Sequence, residues 1–152
     1  MRRWFLAAVL GLVVAVGAGD ARAQRDSAFA NAEGGRLVLN TLTALNLDPM
    51  TIPLLSTGRP LQLYVTVGIE AVDGPSADRM RGLRIRVMDA VLGDLYGLMN
   101  RSGMGSQVLR NDIPQPVMAE IRESIRKSAE RIAGGGTVRE VVLGEARSIA
   151  IY

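Results

Sequence analysis

Hydrophobic and polar residues alternate most regularly over residues 61–72 (LQLYVTVGIEAV). Leu61, Leu63, Val65, Val67, Ile69 and Ala71 fall on one face, and Gln62, Tyr64, Thr66, Gly68 and Glu70 on the other. A period of two predicts a β-strand with one dry face. Beyond it the period changes. Met80, Leu83, Val87, Val91, Leu95 and Leu98 recur three or four apart, and Met88, Leu92 and Met99 widen the band. This predicts one amphipathic helix over residues 77–99, about six turns long. Asp73 or Ser76 caps its free amides, and Pro75 is tolerated in a first turn. A thinner stripe of Val117, Ile121, Ile125 and Ile132 predicts a second, shorter helix behind Pro114 and Pro116. Glu123 with Lys127 and Arg126 with Glu130 are neighbours on that helix. Gly134-Gly135-Gly136 ends it. Residues 137–143 and 147–151 read as strand, with Gly144 a bulge or a break.

Upstream the pattern is less regular. Residues 36–47 (RLVLNTLTALNL) fit either period and read as a strand or an extended approach. Residues 48–55 carry Pro49 and Pro53, which lack the N–H that a ladder needs, so the segment is an edge strand or an extended connector. Residues 56–60 (STGRP) form a turn. The polar, small-residue stretch 24–36 is a linker, and residues 37–152 form the folded domain. Strand, strand, long helix, shorter helix, strand is the order of an α+β fold. It predicts a small, largely antiparallel sheet with two helices packed on one face.

The first 23 residues form an apolar leader helix of a different kind. Arg2 and Arg3 precede 16 uncharged residues, 4–19, and Ala21-Arg22-Ala23 then stands before Gln24. A basic start, an apolar run and a small-x-small end match a secretory signal, with Ala21 and Ala23 at the small positions and cleavage before Gln24. The rival reading is an uncleaved inner-membrane anchor. Sixteen helical residues reach roughly 24 Å, and a bilayer core is about 30 Å thick. Both readings place residues 24–152 in the periplasm of a bacterium.

Composition narrows the chemistry. The 152 residues include no Cys and no His. Disulfides, thiolate nucleophiles, a Ser-His-Asp triad and an HExxH zinc site are therefore excluded. The chain has 18 Lys and Arg against 15 Asp and Glu, but residues 24–152 hold 15 and 14. A nearly neutral domain in a chain with 4% aromatic residues lacks the footprint of a nucleic-acid binder. Paired carboxylates are the remaining acid–base candidates. Asp89 and Asp94, five apart on a helix, diverge, whereas Glu120 and Glu123 share a face beside basic neighbours. Gly103-Met104-Gly105 lacks the third glycine of a dinucleotide loop, and Gly134-Gly135-Gly136 follows a helix instead of opening one. No catalytic, cofactor-binding or metal-binding set emerges, and the sequence points to neither a small-molecule substrate nor a cofactor. Arg79, Arg81, Arg84 and Arg86 form the densest basic cluster. That stripe fits either an acidic partner or a solvated helix face.

These features together resemble the flagellar basal-body-associated FliL family. The basic start and apolar leader, Leu47-Asp48-Pro49 with Pro53, and the strand over 61–72 carry the resemblance. So do Val87-Met88-Asp89-Ala90-Val91-Leu92, similar to that family's apolar–Asp–Ala–apolar pattern, the second helix, the glycine turn and Val138-Arg139-Glu140-Val141-Val142-Leu143. The likeness spans residues 45–145. It implies a stomatin-like, non-enzymatic periplasmic domain held at the inner membrane. It further implies homo-oligomeric rings around the flagellar motor's stator units, supporting motility and swarming through protein–protein contacts. No catalytic residue carries over. Two features depart from the family: the leader has a cleavable end, and Arg147-Ser148-Ile149-Ala150-Ile151-Tyr152 replaces an aromatic-apolar-Gln ending. They fit a FliL-like domain serving elsewhere in the envelope, and Ala21-Arg22-Ala23 supports the alternative of a soluble exported binding or scaffolding protein unrelated to motility.

Overall fold

The computed structural model describes residues 32–33, 36–37, 42–55, 60–108 and 112–151. The leader, including Ala21, Ala23 and Gln24, lies outside the described residues. The fold is α+β, and every strand pairing among the described residues is antiparallel. A two-residue ladder, β1 (Ala32–Glu33) with β2 (Arg36–Leu37), begins inside the segment predicted as a linker. β3 (Ala44–Asn46) and β4 (Met50–Leu54) lie end to end along one side of β5 (Leu61–Ala71). β6 (Val138–Ala150) runs along the other side.

The alternation in β5 sets the layering. Leu63, Val65, Val67 and Ile69 are completely buried and meet the helices, while Gln62, Tyr64 and Glu70 on the opposite face are half-buried. β6 stays continuous past Gly144. Thr66 faces both Gly144 and Glu145, a bulge in which the Thr66 hydroxyl accepts the Glu145 N–H at 2.7 Å. Arg139 is the extra residue of a second bulge, between Val138 opposite Ala71 and Glu140 opposite Glu70. The segment with two prolines is an edge strand: Pro53 sits opposite Gln62 and keeps its missing N–H out of the ladder.

Among the described residues three α-helices cover the dry face, not two. The run over 77–99 is interrupted, giving α1 (Gly74–Gly82) and α2 (Arg84–Asn100). Leu83 leaves the helical region (φ −107°, ψ 14°), and its N–H reaches Arg79 O at 3.1 Å and Met80 O at 3.2 Å. Periodicity cannot see this break, because Met80, Leu83 and Val87 keep their spacing through it. The weak point is Gly82, the residue with the most backbone freedom to lose. Asp73 resolves the capping choice, since its carboxylate accepts the Ser76 N–H at 2.8 Å. α3 (Gln115–Ala133) is longer than α2, so the second helix is not the shorter one. It packs on α2 and on β6 and ends where Gly134 takes φ 114°. Val87, Val91, Leu95 and Met99 of α2 meet Val117, Ile121, Ile125 and Ala129 of α3 in a single core. Among the described residues no helix is long and apolar enough to cross a membrane.

Candidate functional site

The arginine cluster is not one stripe. The interruption at Leu83 puts Arg79 and Arg81 on α1 and Arg84 and Arg86 on α2. Arg79 donates to Ala133 O at the end of α3, at 3.3 Å. Arg81 pairs with Asp78 and donates to Leu42 O. Arg84 pairs with Asp48 at 2.9 Å and donates to Asn46 O. Arg86 is exposed and has no ion pair among the described residues. Three of the four guanidiniums thus tie helices to neighbouring backbone within the chain.

Those ties share a target. Outward carbonyls of the β3–β4 edge are met by helix side chains: Leu42 O by Arg81, Asn46 O by Arg84 and Pro53 O by Asn100, the last at 2.9 Å. Asn100 also accepts the Leu55 N–H at 2.7 Å. Its amide mimics a strand partner, and Pro53 offers no donor of its own. This edge is plugged against strand addition.

The carboxylates are dispersed. Asp94 accepts Arg131 at 2.8 Å and the buried Ser128 hydroxyl at 2.6 Å, locking α2 to α3. Glu123 lies 3.5 Å from Lys127 and Arg126 lies 3.5 Å from Glu130, the pairs expected from helix spacing, and Glu123 lies closer still, at 2.8 Å, to Arg126. Hydrogen bonding from Arg126 holds the Glu123 carboxyl below its usual range, against a smaller opposing push from burial. Glu120 and Asp89 are exposed. Among the described residues no three His, Cys, Asp or Glu side chains gather as metal ligands. Gly103 (φ 74°) starts a short 3-10 turn, Met104–Gln107, and Gly134 and Gly136 serve the turn into β6. Neither glycine group opens an α-helix, which is what a phosphate loop requires.

The feature that sequence reasoning missed is apolar. Leu92, assigned above to the buried band, is 39% exposed. It lines a cleft of about 440 Å³ between α2 and β4, with Thr51, Ile52, Pro53, Asp89, Gly93, Tyr96 and Arg101. Tyr96 is 36% exposed, and beside this flank Ile85 and Leu55 are 70% and 68% exposed. Ile85, Leu92 and Tyr96 are seven and four residues apart, so they share one side of α2. The signal was present as an apolar band wider than one sheet face covers, but only the packing says which margin stays outside. Asp89 and Arg101 give the cleft one charge of each sign. A second cleft, of about 650 Å³, is more polar and lies between α3 and β6, lined by Ala119, Arg122, Glu123, Arg126 and residues 139–143. No protein-family model matches the chain, and no curated protein matches it.

Proposed function

We propose that this protein acts by docking another protein in the α2–β4 cleft, as a periplasmic, FliL-like accessory of the flagellar motor at the inner membrane. The observation that carries the docking reading is the partial exposure of Leu92 and Tyr96 in the lining of that cleft, with exposed Ile85 on the same side of α2 and exposed Leu55 next after β4. Clustered apolar side chains of this size mark interaction surfaces when they rim a groove. The plugged β4 edge directs the partner toward side-chain packing, so an amphipathic helix is the occupant that fits: its apolar face meets Leu92 and Tyr96 while polar groups meet Asp89 and Arg101. Burying a leucine or tyrosine of this kind is worth about 1.5 kcal/mol or more. The assignment to the motor rests on the family resemblance.

The test is genetic. Deleting the gene in a motile host reduces swimming and swarming, the wild-type gene restores both, and Leu92→Glu at equal protein level restores neither. Undiminished motility in the deletion strain sinks the motor assignment. Ala21-Arg22-Ala23 before Gln24 favours the second reading, a soluble exported scaffold. Mass spectrometry of the native N-terminus separates the two, since a mature chain starting at Gln24 in the periplasmic fraction supports the scaffold.

A further inference from the structure

The sheet has two edges, and they are treated differently. The β3–β4 edge is closed by Arg81, Arg84, Asn100 and Pro53. β6 is 13 residues long, contains no proline and, among the described residues, pairs only with β5. Backbone directions on it follow from β5. Val67 O accepts from Leu47 N and Ala71 N donates to Thr43 O, so the odd-numbered residues of β5 turn toward β3 and β4. Their opposite numbers on β6 are Val138, Val141, Leu143, Ala146, Ser148 and Ala150, which therefore turn their N–H and C=O groups away from β5, to the sheet's outer edge. The 650 Å³ cleft separates this edge from α3 and leaves room beside it.

Four of them, Val138, Val141, Leu143 and Ala146, are symmetric about Val142. So are the two bulges, residues 139–140 on one side and 144–145 on the other. We infer that β6 pairs with β6 of a second copy of this chain in an antiparallel, two-fold arrangement centred on Val142. In that register Val141 faces the partner's Leu143, Val138 faces the partner's Ala146, and each bulge meets its counterpart. From Val138 to Ala146 every outward-turned residue then meets another outward-turned residue, while Ser148 and Ala150 lie past the paired stretch. Arg139, which pairs with Glu70 in its own chain, faces the partner's Glu145, and Glu145, which pairs with Arg147, faces the partner's Arg139, so opposite charges are added to each existing pair across the axis. Moving the register by one residue sets outward groups against inward ones and loses both the ladder and the charge match. The contact is isologous and closes as a dimer with one continuous eight-stranded sheet, six strands across because β3 and β4 lie end to end. It leaves both α2–β4 clefts outside the pairing and does not depend on the function proposed for them.

The absence of cysteine makes a clean test. A non-hydrogen-bonded antiparallel pair brings Cα atoms to about 4.5 Å, within disulfide reach. The full chain carrying Val142→Cys, kept in mild detergent and gently oxidised, is expected to form a crosslinked dimer. Thr51→Cys, on the plugged edge, is expected to stay largely monomeric. Separately, Val142→Glu places like charges face to face and is expected to raise the dimer dissociation constant by at least about tenfold, measured by sedimentation equilibrium, with the circular dichroism spectrum unchanged. The pairing is overturned if Val142→Cys crosslinks no faster than Thr51→Cys, or if the unmodified chain sediments as a monomer throughout the concentration range. Dimers that persist unchanged in Val142→Glu also overturn it.

Discussion

Asp73 illustrates how much one side chain settles. Hydrogen bonds from Ser76, first from its side chain and then from its backbone N–H, hold the Asp73 carboxyl below its ordinary range. A carboxyl depressed in the folded state stabilises the fold above the ordinary aspartate value of roughly 4 and loses that effect as pH falls through the lower folded value. Asp73→Ala is therefore expected to lower the thermal midpoint at pH 7, and the gap from wild type is expected to shrink below pH ~4. Circular dichroism melts at pH 7 and pH 3 check it; an equal gap at both would show that the carboxylate charge plays no part. Asp94 works between helices. It holds Arg131 and the fully buried Ser128 hydroxyl. Ser124 O lies 2.8 Å from the same Ser128 oxygen, a second acceptor for its one hydroxyl hydrogen, so losing Asp94 does not strand the hydroxyl. Asp94→Ala is accordingly expected to cost about 1 kcal/mol in urea denaturation.

At the scale of elements, the helices divide by what their sequences contribute. α2 contains Gly93 and Gly97, and a Cβ at either position meets nothing within 4 Å. A glycine inside a helix costs about 0.5–1 kcal/mol relative to alanine. Gly93→Ala should raise the urea midpoint by a corresponding amount. Since Gly93 also lines the α2–β4 cleft, the added methyl narrows the groove and separates stability from binding. α3 draws its strength from burial instead. Ile121 is completely buried between α2 and the sheet, and Ile121→Ala is expected to cost about 3 kcal/mol through lost transfer energy and a residual cavity. The alternation of β5 and the glycine stop of α3 were legible in the residues, because each depends on local spacing or on a single residue type, whereas Gly144 read as either a bulge or a break and the pairing with Thr66 decides for the bulge. The break at Leu83 was not. It leaves the apolar spacing intact, and the two halves are fastened to different places, α1 to Leu42 and Ala133 and α2 to Asp48 and Pro53.

For the whole molecule, the sheet has one dry face and two unlike edges. The plugged edge carries the apolar cleft, and the open edge carries the symmetric run around Val142. Leu92→Glu separates folding from docking: on an exposed position it is expected to shift stability by no more than about 0.5 kcal/mol while abolishing complementation of motility. A large loss of stability in that variant would place Leu92 in the core and remove the basis for the docking cleft. The arginine cluster teaches the converse lesson. Four arginines within eight residues look like one charged surface, yet tertiary contacts assign three of them to backbone carbonyls on the β3 edge and the α3 terminus.

The sequence alone determined the α+β class, the dry face of the central strand, the helix cap at Asp73 or Ser76, the stop at Gly134 and the range of side-chain chemistry the protein has to work with. Those follow from periodicity, from the special backbones of glycine and proline, and from which residue types are absent. Tertiary structure decided which margin of the apolar band on α2 stays exposed, which edge of the sheet is closed, and that the bulges in β6 are symmetric about Val142. Each of those depends on residues distant in the chain meeting across a sheet edge, and local spacing carries no record of such meetings.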